Sequence, residues 1–237
     1  MKQVPAKIRT IESRENKGSH GAWRKEFCRH YLQVLSRIRS NTQETLAATL
    51  ALQGERITCR EGCTYCCHHY VTVSAAHGIA IVEHLYQRKD LLLLFLQHYE
   101  KWQAKGAAIG ADIDRIRNEA LAAAKPMPEV VNVTRPLASR YFERNIPCPF
   151  LVGSRCSIYE VRPLVCSGHC AASPPGWCAP GSPQEPVVHN LVPQDEDLMA
   201  IMRLVDPRLV LYELTLPVMV YTLLHEGSSP VLTGLAR

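Results

Sequence analysis

Apolar residues along this chain recur mostly at helical spacing. Over residues 23–39, Trp23, Phe27, Tyr31, Val34 and Ile38 share one side, while Arg24, Lys25, Arg29, Arg37 and Arg39 fall largely on the other. That pattern predicts an amphipathic helix whose basic face is solvated. A second helix is expected over 42–53. After it, Val71–Val73 reads as a brief extended segment, and Ser74 as the N-cap of a helix with Ile79, Val82, Leu85 and Tyr86 on one face. His77 stands where glutamate would complete a capping box, so the box is absent. The helical pattern continues through 90–105 and 112–124, where Pro126 and Pro128 are expected to stop it. A short helix over 139–145 and a single turn over 158–162, before Pro163, follow an irregular stretch. Residues 173–186 are a loop by composition, ordered by a tether at Cys178 or by packing of Trp177. Two closing helices are expected near 194–205 and 207–224, with Asp206-Pro207 as start signal, Pro217 kinking or dividing the latter and a loose tail from Gly227.

These elements predict an all-α or mostly α fold, in which helices buttress an irregular cysteine-rich metal-binding core. One compact domain is expected, divided into a basic N-terminal helical segment (1–58), a cysteine-cluster region (59–186) with a helical insertion at about 74–125, and C-terminal helices (187–237). No strand–helix alternation of a barrel or doubly wound sheet is visible, and no Gly-rich phosphate loop.

The chain has 237 residues and a formal net charge of +5, with ten Lys or Arg against three Glu in residues 1–40. Such a bias attracts nucleic acid, acidic proteins or anionic lipid, but a solvated helix face accounts for it and no nucleic-acid motif accompanies it. Nucleic acid is therefore not the expected partner, and a protein partner is left open. The longest purely apolar run, Leu91–Leu96, is too short to span a bilayer. The first residues lack the apolar core of a secretion signal, so a reducing cytoplasmic location is expected. Cysteines there are more often metal ligands or redox groups than disulfides.

Ten cysteines change the picture most. Cys59, Cys63, Cys66 and Cys67 lie within nine residues, and Cys148, Cys156, Cys166, Cys170 and Cys178 follow about eighty residues later. Thiolates select zinc or iron–sulfur clusters. Cys59, Cys63 and Cys66 can converge from one loop, with Gly62 giving the backbone freedom it needs. Cys67 differs, because adjacent side chains usually diverge; it faces a second metal or stands beside the first as a non-ligand. Burial as four small hydrophobes would not explain the spacing. Cys28, outside both runs, reads as a buried or free thiol.

The second run reads Pro147-Cys148-Pro149-Phe150-Leu151, then Cys156-Ser-Ile-Tyr-Glu-Val-Arg-Pro-Leu-Val-Cys166. Together with the first run it resembles the zinc- or iron-chelating cysteine-cluster family, known as YkgJ-like or CxxCxxCC proteins, over about residues 59–73 and 147–170. The resemblance implies Cys59, Cys63, Cys66, Cys67, Cys148, Cys156 and Cys166 as ligands, with Cys170 or Cys178 as the eighth. Members commonly carry arginine after the cysteine that follows Arg-Pro, and here that residue is Ser167. The family includes relatives of flagellin lysine methylase, so the resemblance transfers a site more safely than a reaction.

His68, His69 and His169 are further nitrogen donors. A solvent-facing pair is the favoured reading for the first two, and a hydrogen-bonded or exposed ring for the third. Arg162 and Glu160 either orient the ligand loop or form a surface ion pair. Ligand type alone does not separate a 4Fe–4S cluster from zinc. The Cys59, Cys63, Cys66 spacing, with Tyr65 before the third cysteine, is also similar to the radical S-adenosylmethionine signature. Against that alternative, a methylase or radical enzyme, stands the missing barrel pattern. The leading expectation is a metal-binding protein with a structural, redox or metal-handling role.

Overall fold

The computed structural model describes residues 19–191, 193, 195–204, 209 and 213–226. Residues 1–18, Asp206-Pro207 and the tail from Gly227 lie outside them. The architecture is mostly α. Helix α1 (Ser19–Leu52) leads through the first cysteine loop and strand β1 (Thr72–Ser74) into α2 (Ala75–Gln87), α3 (Lys89–Ala122) and α4 (Met127–Glu143). The second cysteine region carries β2 (Leu151–Val152), β3 (Arg155–Cys156), α5 (Leu164–Ser167), β4 (His169–Ala171) and β5 (Val188–Asn190). Helix α6 (Asp195–Met202), strand β6 (Glu213–Thr215) and α7 (Leu216–Glu226) close the described chain.

Two expected breaks are continuous helix. The gap expected at residues 40–41 lies inside α1, and Thr42 beside it donates its hydroxyl to the Ile38 carbonyl at 2.7 Å within the same helix. In α3 the glycines at the expected gap are packing positions: a Cβ on Gly106 would lie 2.9 Å from Trp102 Nε1, and one on Gly110 3.5 Å from Thr215 Oγ1. Proline roles also shift. Pro126 is the N-cap of α4 and Pro128 lies in its first turn, where no intrahelical N–H is needed, so the prolines start a helix where an irregular stretch was expected. Pro217 sits in the first turn of α7, directly behind β6, so the expected closing helix is divided there and not kinked. Ser74 caps α2 as expected, accepting from the His77 amide at 3.3 Å.

Helix α2 is buried along most of its length and packs on α1, α3 and α7. Gly78 permits the last contact, since a Cβ there would meet Met219 Cγ at 2.6 Å. Ile38, Ile81, Leu85, Leu92, Ile113 and Met219 fill the core, and Phe95 stacks on Phe150 at 4.6 Å to join it to the second cysteine region. Not all of the N-terminal arginines are solvated. Lys25, Arg29 and Arg37 are exposed, but Arg24 is buried against Glu83 at 2.7 Å, and half-buried Arg39 donates to the Glu160 and Arg162 carbonyls at 3.4 and 3.3 Å. The first of these pairs ties α1 to α2, and Arg39 ties α1 to the second cysteine loop.

The described strands form three antiparallel pairs, β1–β6, β2–β3 and β4–β5. Among the described residues there is therefore no barrel or doubly wound sheet, and no helix is long and apolar enough to cross a membrane. The β1–β6 pair is anchored from α3. Buried Asp114 accepts from the Thr215 amide at 3.2 Å, from the Thr215 hydroxyl at 2.7 Å and from the Tyr70 hydroxyl.

Removing that carboxylate leaves three donors without their acceptor. Asp114→Ala is expected to destabilise the protein by about 3 kcal/mol, the scale of buried hydrogen bonds to a charged group. Arg115→Ala, which breaks only exposed pairs with Asp112 and Glu119, should cost on the order of 0.5 kcal/mol. Urea unfolding of both variants checks this contrast.

Candidate metal centre

Short backbone ties position each cysteine. Thr58 donates its amide to the Ala171 carbonyl at 2.8 Å, and the Ala171 amide donates to Cys59 Sγ at 3.1 Å, which fixes Cys59 along β4. Gly62 takes φ +87°, the left-handed turn expected before Cys63. A 3-10 turn, Tyr65–His68, then carries Cys66 and Cys67. The Cys148 amide donates to the Cys67 carbonyl at 2.8 Å, so the two cysteine runs are joined by a main-chain hydrogen bond.

In the second run, the β2–β3 hairpin turns through Gly153 at φ +61° and pairs Leu151 with Cys156. Cys166 lies on α5, whose first turn follows Pro163. Cys178 ends a second 3-10 turn, Pro175–Cys178, which packs on the turn of Cys66 and Cys67. The loop expected at 173–186 thus contains one ordered turn, with Trp177 36% exposed.

Cys63, Cys66, Cys67, Cys148, Cys156 and Cys166 all line one cavity of about 130 Å³. Sulfurs from both runs therefore share one space. Tyr141, Phe150, Ile158 and Arg162 complete much of its wall. Cys59, Cys170 and Cys178 stand outside that lining. All ten cysteines are free thiols, and Cys28 is buried, with Sγ 3.7 Å from the Ile79 carbonyl. Among the described residues, no group of three or more His, Cys, Asp or Glu side chains is already set to hold one ion. Ligation would draw the thiols inward.

The electrostatics of the cavity are uneven. A hydrogen bond from the Cys67 thiol lowers Cys66 to about 7 despite burial, and the same bond, with burial, raises Cys67. Burial pushes Cys148 up to about 12 and Cys166 well above its ordinary value. Arg162 faces these sulfurs. Its guanidinium lies over the Tyr159 ring at 3.9 Å, and its buried Nε has no hydrogen-bond partner among the described residues. Neither Arg162 nor Glu160 is in an ion pair with the other among the described residues, so the surface-pair reading of these two does not hold. A half-buried arginine with an unpartnered Nε, beside a cluster of thiols, fits a centre that carries negative charge.

The histidines are arranged otherwise than as a solvent-facing pair. His69 is half-buried and stacks on Phe142 at 4.1 Å, because α4 continues to Glu143 and brings that ring over it; burial lowers His69 to about 4. His68 is also only partly exposed, with a buried Nδ1 that has no partner. His169 is hydrogen-bonded, with Nδ1 2.9 Å from Asn190 Oδ1. Ser167 is buried and its hydroxyl donates to backbone carbonyls of Pro163 and Leu164, so no charge stands after Cys166. Tyr141, Thr215 and Leu216 also line the cavity. They were missed from the sequence because they arrive from α4, β6 and α7, outside either cysteine run.

The model of the CxxCxxCC family, described as "Putative zinc- or iron-chelating domain", matches residues 58–181. That span is more than half of the chain, and the chain belongs to this family. No curated protein and no solved structure matches it.

Buried thiols must lose protons to bind a metal, which fixes the sign of the pH dependence. Cys148 and Cys166, raised by burial, are protonated at neutral pH in the metal-free protein. Metal binding should therefore release protons into weakly buffered solution and strengthen as pH rises from 6 to 8. A metal uptake that is independent of pH, read with a pH indicator and a metal titration, would remove the buried thiols from the ligand set.

Proposed function

We propose that this protein binds an iron–sulfur cluster or zinc through its clustered thiolates, in a structural, redox or metal-handling role. One observation carries the reading: six cysteines from two distant runs line a single cavity, beside half-buried Arg162, whose Nε has no acceptor among the described residues. Six sulfurs exceed the four that saturate one tetrahedral ion. A four-iron cluster likewise takes four thiolates, so the surplus favours more than one metal centre, with every metal position filled by protein. A saturated centre stabilises the fold, carries electrons or stores metal, whereas a catalytic site keeps one position open. When bound, the metal supplies cross-linking of the two cysteine runs, and an iron–sulfur cluster would add one-electron chemistry.

The chain's own residues do the rest. Cys63 and Cys66 bring sulfur from the first loop; Cys148, Cys156 and Cys166 bring it from the second. Arg162 offsets negative charge on thiolates, and Phe150 and Ile158 limit water on the apolar side. The thiols must stay reduced for this, which agrees with a cytoplasmic setting. Beyond the spacing of Cys59, Cys63 and Cys66, no feature of the described residues favours the radical S-adenosylmethionine alternative.

Purification without oxygen, followed by metal analysis and an absorption spectrum, tests the proposal. Broad absorption near roughly 400 nm with bound iron identifies a cluster, and a colourless protein with bound zinc identifies the other member of the pair. Protein that carries neither, and takes up neither after reduction, would defeat it.

Thiolate ligation of structural metal is worth on the order of 10 kcal/mol or more in small peptides, as much as the stability of a domain. Cys63→Ser and Cys156→Ser should each lower metal content and melting temperature together. Cys28→Ser should leave metal content unchanged, because its thiol lies in the helical core. Equal metal loss in all three variants would contradict the assignment of the cavity.

A further inference from the structure

We infer that an open groove beside the first cysteine loop docks an extended, acidic segment of a partner protein. The groove lies outside the sulfur-lined cavity and does not depend on the metal bound there. Residues 54–58 with Arg60 form one wall, and residues 172–175 with Trp177 and Val187 form the other. Thr58 joins the two walls, since its hydroxyl donates to the Ser173 carbonyl. The enclosed volume of about 830 Å³ falls within the range of ligand pockets, roughly 300–1,000 Å³.

The main chain of the first wall asks for an extended occupant. Residues 55–60 carry neither helix nor turn. β5 covers one side of β4, and Thr58 covers the other by donating its amide to the Ala171 carbonyl at 2.8 Å. Beyond Thr58 the edge is open: among the described residues the amides of Arg56, Ile57 and Cys59 donate to nothing, and the Ile57 carbonyl accepts nothing. Neighbouring amides of an extended chain face opposite sides, so Ile57 turns its donor and acceptor away from β4. An edge of this kind accepts a further strand through main-chain hydrogen bonds.

The side chains state what that strand should carry. Trp177 is 36% exposed and Val187 49%, with exposed Pro174 beside them, which gives the groove an apolar contact surface. Tryptophan and arginine are the residues that most often dominate protein interfaces. Arg56 and Arg60 are exposed and stand in no ion pair among the described residues, against the single carboxylate of Glu55. Side chains of a strand alternate between its two faces. A segment that alternates acidic with apolar residues therefore offers carboxylates to the arginines and apolar groups to Trp177 and Val187. A nucleic-acid strand would also use the arginines, but its phosphates would meet Glu55, and they bring no donor for the Ile57 carbonyl. Arg60 lines both this groove and the sulfur-lined cavity, so the docked segment lies against the loop that bounds the metal centre.

The probe is a short, end-capped, fluorescein-labelled peptide alternating glutamate and valine, titrated into the full chain as purified and read by anisotropy. It should bind saturably, and its affinity should fall as salt rises. Arg56→Glu and Trp177→Ala should each weaken it about tenfold. A lysine–valine peptide and oligothymidylate should fail to displace it. Methylating alternate amides of the probe should abolish binding in at least one of the two patterns, because the amides on one edge of the peptide face Ile57. That comparison leaves the protein unaltered, so it stands even if Trp177→Ala fails to fold. No saturable binding, displacement by the lysine–valine peptide or by oligothymidylate, indifference to both methylation patterns, or full affinity in Arg56→Glu would each overturn the assignment and leave the metal-binding reading untouched.

Discussion

The site depends on one main-chain contact, the hydrogen bond from the Cys148 amide to the Cys67 carbonyl at 2.8 Å. About eighty residues of mostly helical chain separate its two ends, and closing a loop of that length costs entropy that a single hydrogen bond does not repay. Helices α2, α3 and α4 do so by packing. α2 is buried among α1, α3 and α7, and the Phe95–Phe150 stack carries that packed core up to the residues beside Cys148. The apolar core thus sets the two cysteine runs face to face before any metal is considered, and a metal shared between the runs would reinforce a closure that the helices already favour.

Charge is arranged to the same end. Arg39 reaches from α1 to the Glu160 and Arg162 carbonyls, which fixes the backbone of the ligand loop, while the Arg162 side chain turns over Tyr159 toward the sulfurs. The half-buried Arg162 guanidinium has no carboxylate partner among the described residues, and in a site of neutral thiols its Nε goes unmatched. Beside thiolates the same group becomes stabilising. The metal-free site therefore carries an electrostatic imbalance that anionic ligation corrects, and the low value of Cys66, supported by the Cys67 thiol, offers a first sulfur for that ligation at neutral pH.

The cysteines that line the cavity were legible as candidates in the sequence because thiolate chemistry depends on residue type and close spacing, both local properties. Ser74 and Gly62 were readable for the same reason: a cap and a left-handed turn are set by one residue. The failures were tertiary. Gaps were expected at 40–41 and between 105 and 112, yet each stretch is accommodated by a contact that spacing does not reveal, Thr42 to its own helix and Gly106 and Gly110 to Trp102 and Thr215. Pro126 and Pro128 were read as a stop, when the same chemistry also starts a helix. Arg24 looked solvent-facing by periodicity, and only the position of Glu83 on α2 buries it. His69 was read as solvent-facing because it directly follows the cysteine loop; Phe142 lay inside the expected 139–145 helix, but spacing does not show that its ring stacks on the imidazole.

X-ray absorption at the metal edge of the loaded protein tests the central claim most directly, since it counts the atoms bound to the ion. If the two cysteine runs share a thiolate centre, the spectrum will show an all-sulfur shell at about 2.3 Å, the zinc–thiolate distance for zinc. Loss of part of that shell should follow substitution in either run. A shell dominated by nitrogen or oxygen, or one unchanged by Cys148→Ser, would contradict the account.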